Sequence, residues 1–223
     1  NKLLKSNVDY ALDLHTQSTG TAYPFFIYAD YREPAIQRLA ELPLPPQFVV
    51  PLHQGVGRTP RARVCVGEQV LRGQRIGEAD GIFSAAVHAP TSGTVIAIEP
   101  RQMSHTSGLT MLSVVIEPDG RDAWLEHAPL AWRAMEGDAI RRWLCDAGVV
   151  GLGGAVFPSH VKLRPSDAGG LQTLIINGAE CEPFITCDDL LMRERAEEVV
   201  RGIGIFRDLL QPKKVLIGIE DNK

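Results

Sequence analysis

The chain has 223 residues, 44% of them hydrophobic, which is enough for one large domain or two small ones with real cores. A formal net charge of -4 comes with 23 scattered basic residues, so there is no electrostatic footprint for nucleic acid or for an anionic lipid surface. Four cysteines, Cys65, Cys145, Cys181 and Cys187, contain no C-x-x-C pair and do not suggest a disulfide framework or a standard metal site. They read as ordinary buried or loop thiols.

Residues 1–47 form a lead with little periodicity, in which Tyr23-Pro-Phe-Phe-Ile-Tyr28 is the plausible strand and Leu42-Pro-Leu-Pro-Pro46 marks a composition change. Lys2 and Lys5 are followed by polar residues rather than by the apolar core of a secretory signal. The longest aromatic-rich apolar run, Phe25 to Ala29, is far short of the roughly 18 to 20 residues needed to span a bilayer. The expectation is a chain on the cytosolic side with no direct membrane span.

From 48 to 118 the pattern is of short strands: Phe48 to Leu52, Val64 to Val66, Val70-Leu71, Arg75-Ile76, Val87-His88, Thr94 to Ile98 and Met111 to Ile116, punctuated by glycines. This predicts a small all-β domain. The segments Val64 to Gly77 and His88 to Ile98 resemble the two halves of a lipoyl or biotinyl carrier barrel, a barrel-sandwich hybrid. A carrier needs a modifiable lysine between the halves, and there is no lysine between Lys5 and Lys162, so the barrel is expected to be scaffold. His88 and His105 have no carboxylate or cysteine at motif spacing and are read as turn and surface histidines.

Residues 119–147 read as a linker and a helix over 138–148, with Ile140, Trp143, Leu144 and Ala147 on one face, Asp138 as the start cap and Gly148 as the stop. Residues 148–223 read as α/β: the strand Thr173 to Asn177, a long helix from about Asp188 with Met192, Ala196, Val199, Val200, Ile203 and Phe206 inward, Pro212 as terminator, and the strand Val215 to Ile219. Strand, helix, strand at this length is a βαβ unit with a parallel sheet.

Chemistry concentrates in this last region. Gly148-Val-Val-Gly-Leu-Gly-Gly-Ala-Val-Phe-Pro158 places four glycines in seven residues, with Pro158 where a short helix begins and Lys162 about one turn on. Glycine lets backbone N–H groups approach an anion closely, which is the outline of a phosphate cradle, although a turn or packing role accounts for the same glycines. The loop is not a dinucleotide fingerprint, since a helix precedes it and Val156 takes the place of the last glycine. Downstream, the strand ending at Asn177 releases Glu180 and Glu182 in Asn-Gly-Ala-Glu-Cys-Glu-Pro. Polar groups past the carboxyl end of a parallel strand sit where open α/β sheets bind ligands, and solvated loop acids are the alternative.

Taken together, Gly-Leu-Gly-Gly-Ala-Val-Phe-Pro at 151–158, Val-Lys-Leu at 161–163, Ile-Ile-Asn-Gly-Ala-Glu-Cys-Glu-Pro at 175–183 and Leu-Ile-Gly-Ile-Glu-Asp-Asn-Lys at 216–223 resemble RnfC, the C subunit of the Rnf ion-translocating oxidoreductase (electron transport) complexes. Ala-Pro-Thr-Ser-Gly-Thr-Val at 89–95 and Leu-Pro-Leu-Pro at 42–45 are similar to the same family, so the resemblance runs from about Pro34 onward. More distantly, the two loops resemble the FMN-bearing NADH dehydrogenase subunit of respiratory complex I. The resemblance implies an electron-transfer subunit, peripheral on the cytoplasmic face of the bacterial inner membrane and assembled with other subunits. It would take electrons from NADH through FMN and pass them to iron–sulfur clusters. Gly151, Gly153, Gly154 and Lys162 would hold the FMN phosphate and ribityl chain, Asn177 and Glu180 the flavin, and Phe157 and Glu182 the nicotinamide nucleotide. No residue is assigned as catalytic and none as a metal ligand. Two 4Fe-4S clusters are expected in a part of the family beyond Lys223, so that this chain reads as truncated and inactive in isolation. Val156 stands where the family usually carries glycine, and its branched side chain is expected to forbid a positive φ or to crowd a flavin. The competing expectation is a cofactor-poor structural subunit resembling the A subunit of the sodium-pumping quinone reductase.

Overall fold

The computed structural model describes residues 14–16, 25–27, 45–103, 108–128, 130–151, 156–164, 170–179 and 187–219. Leu14–Thr16 (β1) and Phe25–Ile27 (β2) pair as a two-stranded sheet. The apolar run at 23–28 therefore holds a strand, and its partner at 14–16 has no alternation to announce it. The chain divides into two units, Thr16–Phe25 with Pro43–Lys162, and Asn1–His15 with Phe26–Leu42 and Leu163–Lys223.

The first unit contains seven further strands: Phe48–Pro51 (β3), Arg61–Ala62 (β4), Gln69–Val70 (β5), Arg75–Glu78 (β6), Val87–His88 (β7), Gly93–Gln102 (β8) and Thr110–Pro118 (β9). They make two antiparallel sheets, in the orders β3-β9-β8-β5 and β4-β6-β7. This is the expected barrel-sandwich arrangement. Its core is Phe48, Leu52, Val64, Val70, Ile76, Val87, Val95, Val114 and Ile116, with Ala89. Each such large side chain withdrawn from water contributes about 1.5 to 3 kcal/mol, so the barrel holds itself together by burial. In β9 the run Ser113 to Ile116 is wholly inaccessible, because β9 lies between β3 and β8 and its two faces are both covered.

One expected strand is absent. Val64 to Val66 form a turn after β4, in which the Glu68 carboxylate accepts the Cys65 N–H at 3.0 Å while Val64 drops into the core. A side-chain acceptor three residues along has displaced the ladder, as local acidic groups do in turns.

The segment after the barrel is pinned to it by a polar network around Thr91 and Ser92, both fully buried. Thr91 Oγ1 donates to Asp122 at 2.9 Å and Ser92 Oγ to Asp119 at 2.7 Å, while the Ala123 N–H donates to Ser92 Oγ at 2.8 Å. Arg72 pairs with Asp122 and lies over the Trp124 ring, 4.4 Å from its centre. The backbone N–H of Arg121, then the Ser92 hydroxyl, hold the Asp119 carboxyl below its ordinary range.

After a 3₁₀ turn at Trp132–Ala134 comes the helix Gly137–Asp146 (α1). Ile140 and Leu144 are buried as expected, but Trp143 is exposed, so the stripe is narrower than the spacing suggests. Asp138 does not cap the helix; Glu136 is the cap residue, and Asp138 instead accepts a bond from Arg141 at 2.6 Å on the surface. Gly148, at φ 67, does end the helix in the left-handed conformation. The far end of α1 is tied to the barrel: the Ala86 N–H donates to Cys145 O at 3.1 Å, Cys145 Sγ to Ser84 O at 3.6 Å, and Arg75 meets Asp146 at 2.8 Å. Burial pushes the Cys145 thiol up from its ordinary value, so it stays protonated and unreactive. A four-residue helix, Ser159–Lys162 (α2), follows.

In the second unit, Thr173–Asn177 (β10) and Lys214–Gly218 (β11) are parallel, in register from Thr173 with Lys214 to Asn177 with Gly218. They are joined by Cys187–Glu194 (α3) and Ala196–Leu210 (α4), so the expected single helix is broken at Arg195, whose φ of -125° is not helical. Val199, Ile203 and Phe206 are half-buried, but Ala196 and Val200 are exposed, a correction to the inward stripe. Gln211 closes α4 with φ 47 and donates its N–H to Arg207 O, and Pro212 prevents continuation.

Candidate functional site

The glycine loop is gripped at its base. Val150 and Pro158 form an antiparallel bridge, Gly151 N–H donates to Phe157 O at 2.8 Å, and Ser159 N–H donates to Val149 O at 3.0 Å. The ends of the loop are thus held as in a hairpin, and α2 starts directly after it. Gly153 and Gly154 lie outside the described residues.

At Gly151 a side chain would meet the Lys162 ammonium. A Cβ built there falls 2.6 Å from the Lys162 Nζ and 3.7 Å from Phe157 O. The amine is the end of a flexible chain, so a methyl group at 151 would displace the ammonium more than it would strain the backbone. Lys162 Nζ stands 5.7 Å from the centre of the Phe157 ring, near the limit of a cation–π contact. Gly151, Phe157 and Lys162 are therefore brought together, one turn of helix placing a cation over bare backbone.

Val156 takes φ 47, a left-handed conformation. The expectation that a branched side chain would forbid a positive φ is overturned. The Val150–Pro158 bridge, the Phe157 carbonyl and α2 fix the chain directly after Val156, whose left-handed conformation costs a β-branched residue about 1 to 3 kcal/mol. What the position demands is the backbone of a glycine. The described base of the loop offers two features that a phosphate-bearing group would use, a left-handed turn and an ammonium beside bare backbone.

Beside the loop is a cavity of about 30 Å³ lined by Gln54, Val56, Val87, Val150, Val156 and Pro158 among others. That is room for one or two waters and not for a flavin or a nucleotide.

In the second unit, Asn177 is exposed at the carboxyl end of β10, and its Oδ1 accepts the Ala179 N–H at 3.2 Å in a turn closed by its own side chain. Gly178 follows where a Cβ would fall 2.8 Å from the Met192 sulfur and 3.1 Å from Gly218 O. A side chain there would have to push the Met192 thioether aside and would crowd the Gly218 carbonyl, so glycine eases the exit of the chain from the sheet. Glu180 and Glu182 lie outside the described residues, as do Cys181 and His105.

His88 is not the surface histidine expected. It lies in β7, largely buried, and its pKa is pushed down to about 4, chiefly by burial and further by Arg75, against the opposing pull of a hydrogen bond to the Asp146 backbone. It is a neutral structural imidazole. Among the described residues no group of His, Cys, Asp or Glu side chains could hold a metal ion. One neighbour of the loop is missed by sequence reasoning: Phe83, whose ring meets Phe157 edge to face at 6.0 Å and 73°. The available signal is an apolar Ile82-Phe83 pair placed in a turn just after Gly81.

Residues 31–121 match the family model of the RnfC barrel sandwich hybrid domain, and residues 144–223 match that of the Nuo51 FMN-binding domain. Over 186 residues, 83% of its length, the chain is 50% identical to the C subunit of the ion-translocating oxidoreductase complex of Pectobacterium carotovorum, covering 25% of that protein. It is 52% identical over 182 residues to the corresponding protein of Yersinia pestis and 45% identical over 188 residues to that of Haemophilus influenzae, covering 29% and 23% of them. The chain thus spans about a quarter of the length of these curated relatives. With both domains matched in order and about half of the aligned residues identical, it belongs to the RnfC family, the C subunits of ion-translocating oxidoreductase complexes.

Proposed function

We propose that this chain is the FMN-holding portion of an electron-transfer subunit that takes electrons from NADH and hands them to iron–sulfur clusters carried elsewhere in the full-length protein. The observation that carries the reading is the glycine loop base, where Gly151 leaves room for the Lys162 ammonium and Val156 keeps a left-handed turn. The match to an FMN-binding domain supports the same reading.

FMN, when bound, accepts two electrons together and releases them singly; the protein's part is placement and electrostatics. Lys162 neutralises phosphate charge, and Gly151, whose own N–H is held by the Phe157 carbonyl, together with Gly153 and Gly154 lets the phosphate and the ribityl chain approach the loop without side chains in the way. Asn177 and Glu180 hold the flavin side. Phe157 covers one face of the nicotinamide nucleotide against water, and Glu182 accepts hydrogen bonds from its hydroxyls. In this reading the protein is peripheral on the cytoplasmic side of the inner membrane, docked to other subunits of an Rnf-type complex. No helix among the described residues is long and apolar enough to cross a membrane. The isolated chain is inactive, since the electron exit lies outside it.

FMN titration of the full-length protein, followed by quenching of flavin fluorescence, tests the proposal. Saturable binding is expected, weakened about tenfold or more in Lys162→Ala through loss of a charge-assisted contact. Absence of saturation in the wild type would sink it. Val156 favours a second reading, a cofactor-poor structural subunit in which the isopropyl group occupies flavin space. That reading gains if FMN binds Val156→Gly and not the wild type.

A further inference from the structure

The connection between β6 and β7, residues 79–86, presents Ile82 and Phe83 to solvent at 52% and 49% exposure. An adjacent pair of large apolar side chains in the open is costly, and it is informative when the backbone beneath it is held rigidly.

Here it is held from two sides. The Phe83 carbonyl accepts the Arg58 N–H at 2.9 Å. Gly57, at φ +106, lies so close beneath that a Cβ would fall 1.7 Å from the Phe83 oxygen, a contact no other residue could make. On the other side His160 Nε2 donates to the Ile82 carbonyl at 2.9 Å, fastening the turn to α2. Ser84 Oγ adds a bond to Arg58 O at 3.0 Å. The Phe83 ring then stands edge to face with Phe157, whose own ring lies 5.7 Å from the Lys162 ammonium. Two aromatic rings and a cation thus converge at the base of the glycine loop, one ring supplied by the barrel.

We propose that Phe83 is a nucleotide-binding residue, giving the NADH site a second aromatic face that packs against a planar ring of the dinucleotide beside Phe157. This rests on the nucleotide reading given above. The two rings already meet edge to face, so the exposed outer face of Phe83 is the surface left for a flat heterocycle to stack on, and a fixed backbone loses little freedom when one does so.

The test uses the full-length protein loaded with FMN, with calorimetric titration of NAD+ as a readout independent of turnover, and NADH oxidation for KM and kcat. Phe83→Leu is expected to raise the dissociation constant and the KM roughly tenfold, the size of one lost stacking contact, with kcat and flavin content held. Phe83→Tyr is expected to stay within about twofold of wild type. An unchanged affinity in Phe83→Leu, or a loss of flavin content with unchanged KM, would overturn the inference, the second outcome showing a structural clasp. Failure of the wild type to bind either nucleotide would instead remove the nucleotide reading, and this inference with it.

Discussion

The barrel and the parallel strand pair draw on the same residues and treat them differently. In the barrel, Ile76, Val95, Val114 and Ile116 have no exposure at all. In the pair formed by β10 and β11, Ile175, Leu216 and Ile217 are 66%, 41% and 46% exposed, and no residue of α4 is buried. Antiparallel strands joined by short turns can fold over one another and close a core within a short stretch of chain. A parallel pair needs a helical crossover and covers on both faces, and two strands with one broken crossover bury little. The first region is stabilised by its own contents, whereas in the second the sequence is that of a buried sheet and the described surroundings are not.

The difference can be broken most directly by deletion of methylenes. Ile116→Ala is expected to lower stability by about 2 to 5 kcal/mol in urea denaturation, as for other large-to-small core changes, and Ile217→Ala by less than about 1 kcal/mol, since half the side chain is already in water. Equal effects would mean that the strand pair is as well packed as the barrel.

Titration sharpens the comparison next, because His88 belongs to the barrel region. Its folded pKa of about 4 lies below the ordinary 6.5, so the unfolded chain takes up the proton first as pH falls. The stability is therefore whole above pH 6.5 and is lost progressively between 6.5 and 4, by at most about 3 kcal/mol. Melting temperatures measured across that window should fall in the wild type and fall less in His88→Gln. The smallest effect is expected at Ile175→Thr, which keeps the β-branched shape on an exposed site and should change stability by less than about 0.5 kcal/mol in the same denaturation assay.

The barrel is legible because its strands alternate and its turns carry glycine; β7 and β10 occur where the pattern places them. Val64 to Val66 mislead because alternation cannot reveal that Glu68 competes for the backbone. Trp143 and Val200 mislead because helical spacing gives a face and not the width of what covers it. In the candidate site, Lys162 and Gly151 are legible by chain proximity, as a loop followed by one helical turn. Phe83 is not, since its meeting with Phe157 joins positions far apart in the chain through a fold the sequence only outlines. Val156 misleads in a more instructive way. Intrinsic preference argues against a left-handed valine, yet the backbone adopts one two residues before the bridged Pro158.

Lys162 is the sole lysine between Lys5 and Lys213, and its amine rests over the Gly151 backbone. Amine-directed chemistry across that whole span is therefore chemistry at one nitrogen. Acylating that nitrogen removes a full positive charge from the loop while the barrel, which has no amine to offer, is left as it was.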